Sequence, residues 1–159
     1  MPRKTTVSLQ RKLNPDRKYQ SVLVQRLINK SMLNGKKLLA ERAVYEALET
    51  AAKKLNSDNP IEMFEKALEN IAPNFEVKSR RVGGANYQIP FPIQGHRQLH
   101  YAFTWLVKAA RSRKGAAYSQ RLALELVDAY NEAGGAFKKK EDTHKMAEAN
   151  RAFAHFARS

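Results

Sequence analysis

Residues 75–93 read FEVKSRRVGGANYQIPFPI, the one stretch of this 159-residue sequence with the pattern of a β-hairpin. Two strand-like runs flank Gly83-Gly84, a dipeptide typical of the two-residue turn between antiparallel strands. With the turn at these glycines, Arg80 faces Tyr87 across the two strands. The stretch therefore predicts a two-stranded ribbon in an otherwise helical protein.

Both faces of the predicted hairpin are polar near its turn. One face carries Lys78 and Arg80 beside Tyr87, and the other carries Arg81 beside Asn86. An isolated two-stranded ribbon is marginally stable at best, so its base must dock on the helices or its tip on a partner. Basic groups that contact phosphates and an aromatic ring that stacks on bases suit nucleic acid. An ordinary solvent-exposed, charged hairpin is the alternative.

The sequence outside this hairpin is dominated by helical periodicity. The clearest example is residues 40–55, where Ala, Val and Leu recur at spacings of three and four. Ser57, Asp58 and Asn59 each offer an N-cap and Pro60 suits the first helical position, so a helix is predicted to start here; Pro73 ends it. Similar stripes lie within residues 19–34, 99–110, 122–130 and 146–156, and Gly134-Gly135 is expected to end the helix that contains residues 122–130. We therefore predict a mainly α protein: about six helices in a bundle, one protruding two-stranded β-hairpin and an extended basic N-terminal arm.

The chain shows no clear linker, internal repeat or low-complexity segment, which favours a single domain over residues 1–159. Within it, residues 1–18 carry six basic residues and one acid, Asp16, with no apolar period. We interpret them as an extended basic arm. A frayed terminus without a role is the alternative.

The charge of the chain points to an anionic partner. There are 29 Lys and Arg against 15 Asp and Glu, a formal net charge of +14. Residues 36–72 hold six basic and seven acidic residues, so the positive excess lies elsewhere. Charge kept only for solubility would be more evenly mixed. Nucleic acid is the first candidate partner, because each neutralised phosphate releases counterions, and an anionic membrane surface is the second.

A second basic cluster lies between residues 108 and 121, which contain no acid. Lys108, Arg111, Arg113 and Lys114 end one predicted helix, and Arg121 follows the break at Gly115. Such a cluster supplies phosphate contacts. The alternative is a solvated helix end, where cations favour the helix dipole without any ligand.

The sequence lacks the patterns of thiol sites, metal sites, nucleotide-binding loops and membrane spans. There is no Cys, and no apolar run approaches the ~18 residues that span a bilayer. His96 and His100 are spaced i,i+4, but residues 96–100 read HRQLH and lack the metal-binding pattern HExxH. Gly35-Lys36-Lys37 lacks the other residues of a phosphate loop. We therefore expect no enzyme activity, cofactor, metal, small-molecule substrate or membrane partner.

Three segments resemble a known family. Residues 67–90, ALENIAPNFEVKSRRVGGANYQIP, and residues 146–156, MAEANRAFAHF, are similar to the universal ribosomal small-subunit protein seven in its bacterial or organellar form. Residues 35–48, GKKLLAERAVYEAL, resemble its second helix. The resemblance extends across nearly the whole chain, and it implies a helical bundle with a protruding hairpin.

The resemblance also implies a function. Members of the family bind early to the 3′ major domain of small-subunit ribosomal RNA and organise the head of the subunit. Their partners are neighbouring head and platform proteins, with exit-site transfer RNA and messenger RNA near the hairpin. The expected location is the ribosome, in the bacterial cytoplasm or in an organelle. Some bacterial members also repress their own messenger.

The family's RNA contacts are carried over residue by residue. The arm, the start of the second helix, the hairpin and the basic end of the fourth helix match the family pattern. Residues 93–97 depart from it: they read IQGHR where bacterial relatives usually carry an Arg-rich run, and we interpret Arg97 as the remaining base. Thr104 also stands where relatives usually have Arg before the Trp. Tyr87, Lys108 and Arg121 are added to these family positions because of their chemistry alone. The full set of candidate RNA-binding residues is Arg3, Lys4, Arg11, Lys12, Lys36, Lys37, Lys78, Arg80, Arg81, Tyr87, Arg97, Lys108, Arg111, Arg113, Lys114 and Arg121.

The leading hypothesis is a non-catalytic, primary ribosomal-RNA-binding protein of the small subunit. A free-standing, messenger-binding translational repressor is the alternative, and it would be found off the ribosome. An enzyme such as a nuclease is a third class, which the missing metal-ligand pattern opposes.

Overall fold

The computed structural model describes residues 12–158. Its α-helices are α1 (Val22–Ser31), α2 (Lys37–Lys54), α3 (Pro60–Ile71), α4 (His96–Ser112), α5 (Tyr118–Tyr130) and α6 (Gly134–Ala149). The strands are β1 (Phe75–Val82) and β2 (Ala85–Pro92), and a C-terminal 3₁₀ helix covers Arg151–Arg158. The predicted mainly α class, with its hairpin, is confirmed for this part of the chain.

Local capping explains where several helices begin. The side chain of Ser21 accepts from the amide of Val24 and caps α1. The side chain of Asn59 accepts from the amide of Ile61, and Pro60 occupies the first helical position of α3. The start predicted at Pro60 is confirmed, and of the three candidate caps the structure uses Asn59. Helix α1 begins three residues after Tyr19, where the periodicity was expected to start.

The hairpin has the register predicted from its turn. Arg80 pairs with Tyr87 and Lys78 with Ile89 in an antiparallel ladder. Gly83 and Gly84 have φ of +57° and +90°, the left-handed values that a two-residue hairpin turn requires at both central positions. The strands form a two-stranded sheet, so the ribbon must draw its stability from contacts with the helices.

The hydrophobic core lies among the six α-helices. The apolar stripes within residues 19–34, 40–55, 99–110 and 122–130 face inward, and Phe64, Leu106 and Leu126 are fully buried. The stripe predicted within residues 146–156 does not, since Met146 is 45% exposed. Trp105 of α4 is 9% exposed, at the edge of this core. In the hairpin, Ile89 of β2 is also fully buried. Among residues 12–158, no helix is long and apolar enough to cross a membrane.

The C-terminal region differs from the sequence-based expectation. A single last helix was predicted to include residues 146–156, but α6 ends at Ala149 and a 3₁₀ helix follows. The side-chain amide of Asn150 donates to the backbone carbonyl of Met146, and the backbone carbonyl of Asn150 accepts from the amide of Phe153. An Asn side chain that bonds to nearby backbone competes with the α-helical ladder, which explains the change of helix type.

The start of α6 also differs from the expectation. Gly134 was expected to end the preceding helix, but α5 ends at Tyr130 and Gly134 begins α6 with φ of +87°. A Cβ atom at Gly134 would lie 2.9 Å from the Cβ of Asp128 and 3.0 Å from Oε1 of Glu125. A glycine is therefore required here both by the backbone conformation and by the close approach of α5.

Candidate nucleic-acid interface

The candidate RNA-binding residues within the described chain fall mainly into two groups, one at each end of α4. The hairpin-side group contains Lys78, Arg80, Arg81 and Arg97. The other group, the α4–α5 group, contains Lys108, Arg111, Arg113, Lys114 and Arg121. Because α4 has 17 residues, about 25 Å separates its two ends along the helix axis.

A buried carboxylate organises the hairpin-side group. Glu76 is 4% exposed, and its oxygens lie 2.8 Å from Nζ of Lys78 and 2.6 Å from Nε of Arg97. The hydroxyl of Tyr101 donates to it at 2.7 Å. These contacts fasten the base of β1 to α4, with Arg97 and Lys78 on either side of one carboxylate.

The contacts of Glu76 also fix its ionisation. Burial alone would raise the pKa of this carboxyl, but the hydrogen bonds from Lys78, Arg97 and Tyr101 outweigh burial and lower the pKa to about 2. The same carboxylate raises the pKa of the Tyr101 hydroxyl. Glu76 is therefore ionised at neutral pH and offsets one of the two neighbouring positive charges.

The outer half of the hairpin rests on the C-terminal 3₁₀ helix. The ring of Tyr87 lies 5.0 Å from that of Phe153 and 5.5 Å from that of Phe156, centre to centre. A guanidinium nitrogen of Arg80 donates to the carbonyl of Phe156 at 2.9 Å. Tyr87 was predicted to stack on RNA bases. Its ring is half-buried against these two aromatic rings, and stacking on RNA stays a prediction. Arg81 lies on the opposite face of the hairpin and is exposed.

In the α4–α5 group, two arginines hold backbone together. Arg121 donates to the carbonyls of Arg111 and Arg113 at 3.1 and 2.6 Å, so it caps the C-terminal end of α4. Arg111 donates to the carbonyl of Ser31 at 3.2 Å, which joins α4 to the end of α1. Lys108 and Lys114 are exposed.

Arg113 has a different environment from its neighbours. Its guanidinium pairs with the buried carboxylate of Glu125 at 2.7 Å and also with Asp128. Glu125 in turn accepts from the amide of Ala136 at 2.8 Å, so one carboxylate links α4, α5 and the start of α6. The structure therefore gives Arg113 internal partners that neutralise its charge, and its predicted RNA contact stays a prediction.

Lys36 and Lys37 are exposed at the start of α2. Lys36 lies in the short connection between α1 and α2 that begins after Ser31, and Lys37 begins α2. Because the carbonyl of Ser31 accepts from Arg111, this connection also contacts the end of α4. The hydroxyl of Tyr118 also donates to Oγ of Ser31 at 2.8 Å. The structure thus brings the basic start of α2 to the same end of the bundle as the α4–α5 group.

The end of the predicted arm is anchored by an acid. Arg3, Lys4 and Arg11 lie outside the described residues, and Lys12 is exposed. Asp16 is buried and accepts from the amides of Lys18, Tyr19 and Ser21 at 2.8–3.0 Å. The hydroxyl of Tyr45 on α2 donates to it at 3.0 Å.

The ionisation of this second carboxylate follows from its bonds. Burial would raise the pKa of Asp16, but backbone amides and Tyr45 outweigh that effect and lower it. Burial and the bond to Asp16 together raise the pKa of Tyr45 to about 12. Asp16 is thus a charged anchor that turns the chain from the arm into α1.

Sequence reasoning missed the three buried acids, Asp16, Glu76 and Glu125. Each is an acid that lies in or beside a basic segment, and that contrast is the signal that could have found them. Within residues 12–158, no group of three His, Cys, Asp or Glu side chains is arranged to hold a metal ion. The described part of the chain is a scaffold that fixes basic side chains in place.

This geometry defines a class: a basic helical protein with exposed cationic side chains at both ends of α4. Comparison with known proteins identifies the family, because the family model for ribosomal protein S7p/S5e matches residues 2–151. The small ribosomal subunit protein uS7 of Chloroflexus aggregans is 53% identical over 158 residues, 99% of each chain. That of Dictyoglomus turgidum is 51% identical over 98% of this chain and 99% of its own. That of Natranaerobius thermophilus is 54% identical over 92% of this chain and 93% of its own.

The chain belongs to the ribosomal protein S7p/S5e family. The resemblance found in the three sequence segments is therefore confirmed. RNA binding and a part in translation follow from that membership.

Proposed function

We propose that this protein is a structural constituent of the small ribosomal subunit that binds the 3′ major domain of its ribosomal RNA and organises the head. The whole chain, residues 1–159, acts as a single RNA-binding domain in this proposal. It is non-catalytic, and its contribution is to favour folded RNA over open RNA by binding the folded form more tightly.

One observation carries the proposal: α4 holds exposed basic side chains at both of its ends, about 25 Å apart, on a rigid scaffold. The buried carboxylate of Glu76 fixes Arg97 at one end, and the carbonyl of Ser31 fixes Arg111 at the other, so the spacing of these positive charges is set before RNA binds. Preset spacing favours an RNA whose phosphates have a matching arrangement, which is recognition of shape. A flexible basic chain would bind polyanions without that selectivity.

The hairpin has a second proposed role, at the path of exit-site transfer RNA and messenger RNA. Arg81 is exposed close to the turn, and the turn residues themselves are exposed. We expect Arg80→Ala combined with Arg81→Ala to disturb exit-site occupancy or reading-frame accuracy more than subunit assembly. A normal yield of subunits with unchanged exit-site occupancy and unchanged accuracy would contradict this role.

The neighbouring partners in the proposal are proteins of the head and platform, and the location is the ribosome of a bacterial cytoplasm. The relatives named above are bacterial, which supports that location. The free-standing repressor predicts a protein that sediments apart from ribosomal subunits. Family membership favours the ribosomal function over that alternative.

The test is a salt titration of binding to a 3′ major-domain RNA fragment, with a scrambled RNA of equal length as competitor. A preference for the ribosomal fragment that persists at physiological salt is expected. Equal affinities for both RNAs that fall together with salt would reveal generic polyanion binding and would overturn the proposal.

A further inference from the structure

Asn74 lies where the hairpin leaves the helices, and it bonds to three different elements. Its backbone amide donates to Nε2 of His144 on α6 at 3.0 Å. Its side-chain oxygen accepts from Gln98 on α4 at 3.2 Å, and its carbonyl accepts from the amide of Ile93, just after β2, at 2.9 Å. The direction in which the hairpin leaves the bundle is therefore set by the bonds at this residue.

The imidazole of His144 is held in a fixed orientation. Its ring is half-buried and meets the ring of Phe75 edge-on, with 6.1 Å between their centres. One turn earlier on α6, Nζ of Lys140 donates to the carbonyl of Asn70 at 2.7 Å. Because this second bond ties α6 to the end of α3, loss of the bond at His144 would leave α6 in place.

The bond from Asn74 requires a neutral imidazole. A backbone N–H group can only donate, so Nε2 of His144 must accept, and the proton of the neutral ring is then on Nδ1. A protonated imidazole carries N–H donors at both nitrogens and cannot accept. The bond is therefore present while His144 is neutral and is lost when the ring is protonated.

The surroundings of His144 favour the neutral ring. Burial and the positive charge of Lys140 lower the pKa of this imidazole from its ordinary value of 6.5. The other charged groups that line the adjoining cavities or lie at the base of β1 are Lys145, Glu148, Arg151, Glu65, Glu69 and Glu76. Glu76 pairs with Lys78 and Arg97, and among residues 12–158 none of these carboxylates forms an ion pair with His144.

We propose that His144 is a positioning residue that holds the base of the hairpin against α6 while its imidazole is neutral and releases the base when it is protonated. The proposal rests on the proposed function for its consequence, because the hairpin is the part assigned to the exit-site path. The outer half of the hairpin keeps its contacts with the 3₁₀ helix. Protonation therefore loosens the base without detaching the hairpin.

The direct test is nuclear magnetic resonance of the full chain, labelled with ¹⁵N, between pH 7.5 and pH 5. We expect a scalar coupling across the hydrogen bond between the amide nitrogen of Asn74 and Nε2 of His144 at pH 7.5. As His144 titrates, this coupling should vanish, and the exchange protection of the Asn74 amide, corrected for intrinsic exchange, should fall about fivefold, the effect of one neutral hydrogen bond. A proton on Nε2 at pH 7.5, or protection that does not change during the titration, would overturn the proposal.

Two variants separate the acceptor from the titration. His144→Gln keeps a side-chain oxygen that accepts a hydrogen bond but does not titrate, so Asn74 should stay protected at both pH values. His144→Phe keeps an aromatic ring beside Phe75 but has no acceptor, so protection should be low at both. Thermal unfolding by circular dichroism verifies that each variant is folded. Wild-type protection in folded His144→Phe at pH 7.5, or a wild-type pH response in His144→Gln, would contradict the proposed role.

The matched control is His155→Gln, which removes an exposed imidazole from the 3₁₀ helix. Nδ1 of His155 lies 2.8 Å from the carbonyl of Ala152, an acceptor to which a charged imidazole also donates. Titration of His155 therefore breaks no bond of this kind. This variant is expected to keep the wild-type pH response at Asn74.

Ribosomes that contain the variants separate this proposal from the proposed function. At pH 7.5, exit-site occupancy is expected to be lower with His144→Phe than with the wild type, and His144→Gln should restore it. If Asn74 responds as expected while occupancy is the same in all three, the positioning of the base is supported and the exit-site role of the hairpin is contradicted. If Asn74 does not respond, the positioning role is wrong and the proposed function is unaffected.

Discussion

The ring of Tyr87 on β2 packs against the ring of Phe153 on the C-terminal 3₁₀ helix, with 5.0 Å between their centres and 54° between their planes. The hairpin is thus held at two levels. Glu76 fixes its base to α4, and Tyr87 fixes its outer half to the last segment of the chain. A ribbon that would be marginal alone is stabilised by both contacts.

Replacement of Tyr87 is predicted to loosen the outer half of the hairpin without unfolding the helices. Tyr87→Ala removes two aromatic pairs, each worth about 0.5–1.5 kcal/mol beyond area burial. Amide hydrogen exchange should accelerate in the outer hairpin and in residues 151–158, while α4 and α5 keep their protection. Gln88→Ala is the control, because Gln88 is exposed on the opposite face. Equal exchange in the two variants would refute the contact's role.

The sequence predicts the hairpin better than it predicts what supports it. The turn at Gly83-Gly84 fixes the register, because a two-residue turn leaves one way to pair the strands. The aromatic partners of Tyr87 lie far along the chain, and no local pattern links them to the hairpin. The α-helix predicted through Phe153 and Phe156 would have placed those rings differently from the 3₁₀ helix that is present.

The candidate site shows the same division between local and long-range information. Composition and clustering identify the basic segments of the chain. Lys37, Lys108 and Lys114 in those segments are exposed, as a phosphate contact requires. Clustering does not reveal that Arg113 meets Glu125, because that pairing depends on how α4 and α5 pack.

The stability that Glu76 provides is predicted to depend on pH. Its pKa in the folded protein is lowered to about 2 from an ordinary value of 4.5. Such a group contributes stability fully above the unfolded value, and loses it as the pH falls from about 4.5 toward 2. At about 1.4 kcal/mol per pKa unit, the contribution at neutral pH is about 3 kcal/mol.

Urea unfolding of the wild type and of Glu76→Gln tests this dependence. We expect a difference in the free energy of unfolding of about 3 kcal/mol at pH 7 that shrinks steadily below pH 4.5. Glu65→Gln removes an exposed carboxylate from α3 and should leave stability nearly unchanged. A Glu76→Gln difference that stays constant down to pH 3 would show that the carboxylate charge is not responsible.

Asp16 is predicted to control how the arm joins the bundle. Asp16→Ala leaves three backbone amides and the hydroxyl of Tyr45 without their acceptor, at a cost of about 3 kcal/mol. Asp16→Asn keeps one acceptor oxygen and should cost less. Ultraviolet titration should also show the pKa of Tyr45 falling from about 12 in Asp16→Ala.

The control for Asp16 is Asp58→Ala, which removes an exposed acid near the start of α3. That variant should unfold at nearly the wild-type temperature and leave the tyrosine titration unchanged. If Asp16→Ala were as stable as Asp58→Ala, the turn at residues 16–21 would not depend on the carboxylate.

Arg113 and Lys114 are adjacent in sequence, yet replacing Arg113 is predicted to lower stability, whereas replacing Lys114 is predicted to weaken RNA binding. Arg113→Gln leaves the buried carboxylate of Glu125 without its cation, and loss of one partner of a buried pair costs about 3–5 kcal/mol. Lys114→Gln removes an exposed charge, so stability should hold while the salt slope of RNA binding falls by up to about 0.9. Thermal unfolding and salt titration of both variants separate a scaffold arginine from a phosphate-contacting lysine. A stable Arg113→Gln with a reduced salt slope would reverse the assignment, because it would show that the charge of Arg113 neutralises RNA and that Glu125 is satisfied without it.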